Sequence, residues 1–498
     1  MKKKTKENIF KVFVIILFFI SIFSIIMPRA LGNYDELWNF NFANQMANGL
    51  IPYKDFNMIQ TPLMPMVCSI FLKIFGQELI VMRVLAVILN LMIFYVAYKI
   101  LSYLKVSKPL ILGTLISIFL ILQKYMYIDY NLGLLLILLL IIYLELRKTT
   151  QKLELHIKYD ILIGILSGLC FTLKQSIGMV AIIAIVGYQI LKVKNKNDLI
   201  LFIKIALFRA LGALIPIGIL IIYLICNNAL KDFISYAILG IGTFSNNIPY
   251  TRLIFGKIKI TFVLSILVPI LLIIMLIITL VKRRKVVTIF TVFSLTSFLL
   301  VFPISDEIHF YIGIVPILIY ISYLISRFLR GINWKNRKKK KYIFLRTFLS
   351  CVIILSSIYF GYMNIKKNID YFRNMDTQTL MNGYKYITMS EYTKKKIEIV
   401  DNFILSQNKP VYILDAEAVL FRIPINQYYK DYDMFLKGNL GKDGEEGQIQ
   451  KLEADDNKII LIRKDTIKRN WQNPEEVRKY VKENYTKVGS ISIFDIYE

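Results

Sequence analysis

Long apolar runs alternate with short polar connections along most of this chain. Crossing a bilayer takes roughly 20 apolar residues, and about eleven segments approach or meet that length. They fall near 9–27, 79–101, 109–123, 131–146, 159–173, 176–191, 199–225, 259–281, 286–302, 309–328 and 343–362. The pair 159–173 and 176–191 is short, and reads either as two spans or as one broken helix. The first run is too long for a signal peptide and lacks a small-residue cleavage site, so it reads as a retained helix.

Two stretches break this pattern. In 28–78, Leu37, Phe40, Ala43, Met46 and Ala47 recur at spacings of three and four, which predicts an amphipathic helix over 36–48 stopped by Gly49. A second apolar helix is predicted over 62–75, lying on or dipping into the membrane. After residue 362 the long runs cease. A helix over 394–406, strands at 410–414 and 458–462, a helix opened by Pro474 and a final strand at 491–497 predict a small α/β domain. The expected fold is therefore an α-helical multi-pass membrane protein of about 11 transmembrane helices with a small extracytoplasmic C-terminal α/β domain. Its expected division is a transmembrane module, 1–362, with 28–78 as first extracytoplasmic loop, and an extracytoplasmic domain, 363–498.

Composition agrees. Of 498 residues, 56% are hydrophobic, and the mean hydropathy is +0.55. A net charge of +28 raises a nucleic-acid partner as a possibility, but the distribution of the charge argues against one. Basic groups sit in short connections: Lys2 to Lys6; Lys105 and Lys108; Arg147, Lys148 and Lys152; Lys192, Lys194 and Lys196; Lys282 to Lys285; and Arg327, Arg330 and Arg337 to Lys341. With eleven spans, all six groups share one side, which the positive-inside rule makes cytoplasmic. The N-terminus is then cytoplasmic, and the tail faces outward. The four cysteines show no paired spacing, so neither a disulfide framework nor a zinc motif is read from them.

Charges near membrane depth cost roughly 2.5–3.5 kcal/mol each at mid-bilayer, so they are functional candidates by default. Asp35, Glu36, Arg83, Asp129, Lys174, Asp306, Glu307 and His309 all fall at outward ends of spans. Carboxylates and cations gathered on one face suit a reaction in which a base activates a hydroxyl while cations hold a phosphate. On spacing alone, Asp35 and Glu36 fit a helix N-terminus as well as they fit catalysis.

Several stretches resemble the membrane glycosyltransferases of the GT-C superfamily, especially the protein-mannosyltransferase and aminoarabinose-transferase branch. They are Tyr34-Asp35-Glu36, Gly49 to Phe56 followed by Thr61-Pro62-Leu63, Gly76 with Arg83, Gly168 to Gln175, and His309-Phe310-Tyr311 with Pro316. The resemblance covers roughly 1–362, and Thr61 stands where relatives often carry a second proline. It implies transfer of a sugar from a polyprenyl-phosphate donor, with inversion, to a hydroxyl on a protein, glycan or lipid acceptor at the outer face of the plasma membrane. By the same resemblance Asp35 is the general base, and Glu36 orients the acceptor or a metal. Lys174, Arg83 and His309 hold the donor phosphate. Tyr53, Asp55, Asp129 and Gln175 are second-line substrate contacts. Some members of the superfamily need a divalent metal, Mg or Mn, and others do not. Membrane lipids are the surrounding partner, and no nucleic acid is implied.

The alternative is a transporter or flippase, or a polymerase, of lipid-linked saccharides. A transporter predicts internal repeats and interrupted helices near the midplane, and no convincing repeat is present. A polymerase predicts no acid pair directly after the first span.

Overall fold

A computed structural model of the chain describes residues 2–150, 155–243, 248–256, 258–282, 284–331, 339–373, 380–464 and 473–498. Lys152, Arg283, Arg337 and Lys338, counted above among the basic groups, lie outside the described residues. The chain divides into two compact units. One comprises Met1–Pro28, Ala86–Ile217 and Ile248–Arg373, and the other Arg29–Leu85, Gly218–Asn247 and Asn374–Glu498.

In chain order the first helices are α1 (Lys2–Ile26), α2 (Tyr34–Ala47), α3 (Leu63–Phe75), α4 (Leu79–Tyr103), α5 (Lys108–Leu122), α6 (Tyr130–Thr150), α7 (Ile157–Leu173), α8 (Gln175–Gly187) and α9 (Lys196–Cys226). Lys259–Lys282, Lys285–Phe298, Glu307–Gly313, Val315–Gly331 and Lys339–Arg373 follow. Every apolar segment expected from the sequence is helical. Among the described residues five helices are long and apolar enough to cross a membrane, and the bent pair Glu307–Gly313 and Val315–Arg330 would make a sixth. Several of the others are short, such as Gln175–Leu191 and Lys285–Val301.

The first unit is a helical bundle held by close backbone contact and buried polar bridges. A Cβ on Gly164 would lie 2.2 Å from the Arg209 carbonyl oxygen, and one on Gly168 would lie 2.3 Å from that of Ala213. Small residues four apart on α7 thus let α9 approach at backbone distance. Arg209, fully buried, meets Glu145 at 2.6 Å and Asp160 at 2.9 Å. Lys148 donates to both Asp160 oxygens, at 2.6 and 2.7 Å, and Tyr188 donates to Glu145. Two cations and two anions balance, so none is left buried and uncompensated. Lys148, counted above as a topology signal, is therefore a buried structural partner.

In the second unit, the tail packs with the first loop and with 218–243. Phe42, Met46, Tyr53 and Phe56 share a core with Leu220, Leu224, Phe233 and Tyr236, and with Ala416, Met434 and Leu436 of the tail. Helix α2 was expected to show water a polar face, but Glu36, Leu37 and every residue from Asn39 to Ala47 are buried. Its face bears Asn44 and Gln45 because it meets a polar partner: Asn44 donates to Tyr428 at 2.6 Å and Gln45 to Asp433 at 3.1 Å.

The tail sheet has strands β1 (Val411–Ile413), β2 (Ile459–Arg463), β3 (Lys487–Ile491) and β4 (Phe494–Tyr497), in the order β1-β2-β4-β3. β1 and β2 are parallel, with Val411 beside Ile459, and the other pairings are antiparallel. The single strand expected over 491–497 is instead part of a β3–β4 hairpin.

Candidate active site

Asp35 is the second residue of α2 and is half-buried. The side chain of Asn33 caps the helix, accepting from the Glu36 amide at 3.1 Å. An acceptor at that position satisfies an amide that would otherwise lack a helical partner. Residues 34 to 36 therefore follow from local capping signals.

Glu36 and Arg83 were expected to serve separate roles. The structure joins them to each other. Arg83 Nε and Nη2 each reach a different oxygen of Glu36, both at 3.1 Å. Arg83 also donates to the Arg29 carbonyl. Both side chains are buried, Arg83 completely. A guanidinium matched to one carboxylate in this two-pronged way is a fixing device. Its fork is directed at protein groups, Glu36 and the Arg29 carbonyl.

Tyr53 and Asp55 belong to the same unit. Tyr53 is fully buried at φ +69°, and its hydroxyl donates to the Gln60 carbonyl at 2.6 Å. Asp55 accepts from the Ile51 amide at 2.7 Å. Both therefore shape the loop between α2 and α3.

The remaining expected residues lie in the helical unit, and there the structure brings them together. Lys174 interrupts α7 and α8 with extended backbone, at φ −152° and ψ 107°. Its ammonium donates to Asn131 Oδ1 at 3.0 Å and stands 5.2 Å from the centre of the Tyr130 ring. Asp129 and Asp306 both act electrostatically on it. Asp129 is buried and accepts from the Asn131 amide at 2.6 Å, starting α6. Asp306 caps its helix by accepting from the His309 amide at 3.0 Å, and lies 2.7 Å from His309 Nδ1. Tyr125 donates to Glu307 at 3.1 Å. Gln175, directly after Lys174, is buried. Sequence reading missed Tyr130 and Asn131. The signal available was their position directly after Asp129 at a helix start.

Among the described residues no group of three or more His, Cys, Asp or Glu side chains is arranged to hold a metal ion.

A further cluster, in the tail, was not anticipated. Asp415 and Glu417 follow β1, and Arg463 ends β2, so the parallel pairing sets them side by side. Arg463 holds Asp415 by two contacts of 2.9 and 3.0 Å and also pairs with Glu417. Lys396 meets Glu417 at 2.9 Å. Burial works against a charge on Glu417, but Arg463, Lys396 and the Tyr34 hydroxyl outweigh it and hold the carboxyl down to about 2.

Compared by sequence, the chain matches no protein-family model and no curated protein. Compared by structure, it is similar to ArnT from Cupriavidus metallidurans bound to undecaprenyl phosphate, with a TM-score of 0.56 and 10% identity over 99% of this chain and 98% of that one. It is also similar to the Archaeoglobus fulgidus oligosaccharyltransferase in the apo form, with a TM-score of 0.53 and 12% identity over 91% of this chain and 69% of that one. The same archaeal protein, AglB, in complex with an inhibitory peptide and a dolichol-phosphate, gives a TM-score of 0.54 and 11% identity over 92% and 70%. Identities this low speak to architecture. The chain has the GT-C fold, the fold of these membrane glycosyltransferases.

Proposed function

We propose that this chain is an integral-membrane glycosyltransferase that moves a sugar from a polyprenyl-phosphate donor to a hydroxyl acceptor. The observation that carries this reading is the likeness, over nearly the full length of both chains, to an enzyme solved with undecaprenyl phosphate. The reaction runs at the outer face of the plasma membrane, with the N-terminus in the cytoplasm and the tail outside. The basic connections support that orientation.

Asp35 is the general base. Its carboxylate takes the proton of the acceptor hydroxyl as the oxygen attacks the anomeric carbon from the side opposite the phosphate. The bond from that carbon to the phosphate oxygen breaks, the configuration inverts, and lipid phosphate leaves with the electron pair. Phosphate is a good leaving group, so one base suffices, unlike the spaced acid pair of a glycosidase. Of the two adjacent acids, Glu36 is held by Arg83, while Asp35 is the more exposed. Lys174 supplies positive charge for the donor phosphate, with His309 as a further donor. Arg83 is a positioning residue for α2.

The test is purified protein in liposomes with a panel of radiolabelled undecaprenyl-phosphate sugars and a cell-envelope extract as acceptor, set against nucleotide-sugars. Label leaving the lipid donor for the extract is the expected result. Transfer from nucleotide-sugars alone overturns the proposal.

A further inference from the structure

Tyr34 and Glu36 flank Asp35, and each is tied to a different part of the second unit. Glu36 is gripped by Arg83 of α4. The Tyr34 hydroxyl donates to Glu417 Oε1 at 2.6 Å, across 383 residues of sequence. One turn along α2, the Trp38 ring lies 6.1 Å from that of Tyr34, and Trp38 Nε1 donates to the Ala416 carbonyl at 3.1 Å. The receiving turn, 415–417, is itself fixed. Glu417 is 3% exposed, and its amide donates to Asp415 Oδ1 at 2.8 Å. Arg463 and Lys396 hold its two oxygens.

We infer that Glu417 is a positioning residue for the transfer reaction, acting through the Tyr34 hydroxyl to set the first turn of α2 and hence the reach of Asp35. The inference rests on the reading of Asp35 as base. Its physical basis is that a residue anchored on both neighbours has little freedom at its own Cα. A carboxylate whose base function depends on hydrogen-bond reach is sensitive to that freedom, since misplacement by about 1 Å can cost about 10²-fold in rate. The anchor is a carboxylate just beyond β1, fixed by Arg463 at the end of the parallel strand β2.

Tyr34→Phe removes only the hydroxyl. Glu417 keeps Arg463 and Lys396, so the tail retains its own contacts. Transfer is measured with the undecaprenyl-phosphate sugar that is active in the panel above, alongside thermal unfolding in detergent. The expected result is a fall in kcat of about 10- to 100-fold, with KM for the donor within about twofold and the unfolding midpoint lowered by no more than a few degrees, so that the protein stays fully folded at the assay temperature. In an Asp35→Glu background, where the base already stands one methylene further out, the same change costs much less. Full activity of Tyr34→Phe, an equal loss in both backgrounds, or a midpoint falling in step with activity overturns the inference. Asp35→Asn, run in parallel, separates the two readings. Tyr34→Phe active with Asp35→Asn inactive removes only the positioning role, and both active removes the base itself.

Discussion

Arg83 grips Glu36 through two hydrogen bonds of 3.1 Å, and neither side chain reaches solvent. Such a pair is weak evidence for stability, because desolvation offsets much of the attraction. Breaking it from one side is costly all the same, at about 3–5 kcal/mol, because the other charge stays buried. Arg83→Leu or Glu36→Leu alone should therefore sharply lower the thermal midpoint in detergent, and the double variant should recover most of the loss. Single variants as stable as the parent would show that the pair contributes nothing.

Asp35→Asn keeps shape and removes the base. Removal of a general base typically costs about 10²–10⁴-fold in rate. Transfer from the lipid donor should fall by that order while membrane abundance and unfolding midpoint stay level. Undiminished transfer would take the base assignment away from Asp35.

Lys174 stands among Tyr130, Asn131, Asp129 and Asp306. A charge-assisted hydrogen bond contributes about 1.5–3 kcal/mol, or roughly 10- to 150-fold in affinity. Lys174→Met should weaken binding of undecaprenyl phosphate to the purified protein within that range, with Lys174→Arg retaining part of it. Equal affinity in Lys174→Met would exclude contact with the phosphate.

Glycines in this chain divide into crowded and open sites. A Cβ at position 168 would meet the Ala213 carbonyl oxygen at 2.3 Å, whereas one at Gly113 meets nothing within 4 Å. Gly168→Ala must push α7 and α9 apart and should cost folded yield in membranes. Gly113→Ala should be neutral or gain up to about 1 kcal/mol, since alanine is the better helix former. Comparison of monodisperse yield and midpoint checks both at once.

The tail carries its own acid–base signature. Asp401 is 7% exposed, and its Oδ1 has no hydrogen-bond partner. Burial pushes its carboxyl up to about 8, with Arg422 opposing. A carboxyl that keeps its proton in the folded state, while the unfolded chain releases it near 4, makes stability fall as pH rises between those values. Asp401→Asn should leave the midpoint unchanged near pH 4 and raise it near pH 8. A midpoint difference that does not grow with pH would contradict this.

Much of the fold was legible where the cause is local. The stop at Gly49, with φ +89°, sits where glycine chemistry dictates it, and the turn at Lys174 falls between the two short apolar runs, whereas the helix expected from 36 starts at Tyr34, behind the Asn33 cap. The pairing of Arg83 with Glu36 was not legible, because 47 residues separate them and periodicity carries no distance information. A polar face of Asn44 and Gln45 reads as a water-facing one until its partners Tyr428 and Asp433 are known. The β3–β4 hairpin hid for another reason. Its turn places Ser492 at φ +50°, a conformation usually announced by Gly, Asn or Asp. In the candidate site the residues were identifiable by type, whereas the groups they bind were not.

The tie between Tyr34 and Glu417 also has a consequence in time. Ribosomes add about 5–20 residues per second. The 383 residues between the two side chains therefore impose a wait of roughly 20–75 s at that rate. Throughout that interval α2 exists without the polar surface that its Asn44 and Gln45 bind. A nascent chain must carry this helix, half-partnered, until the tail that supplies Tyr428 and Asp433 has been made.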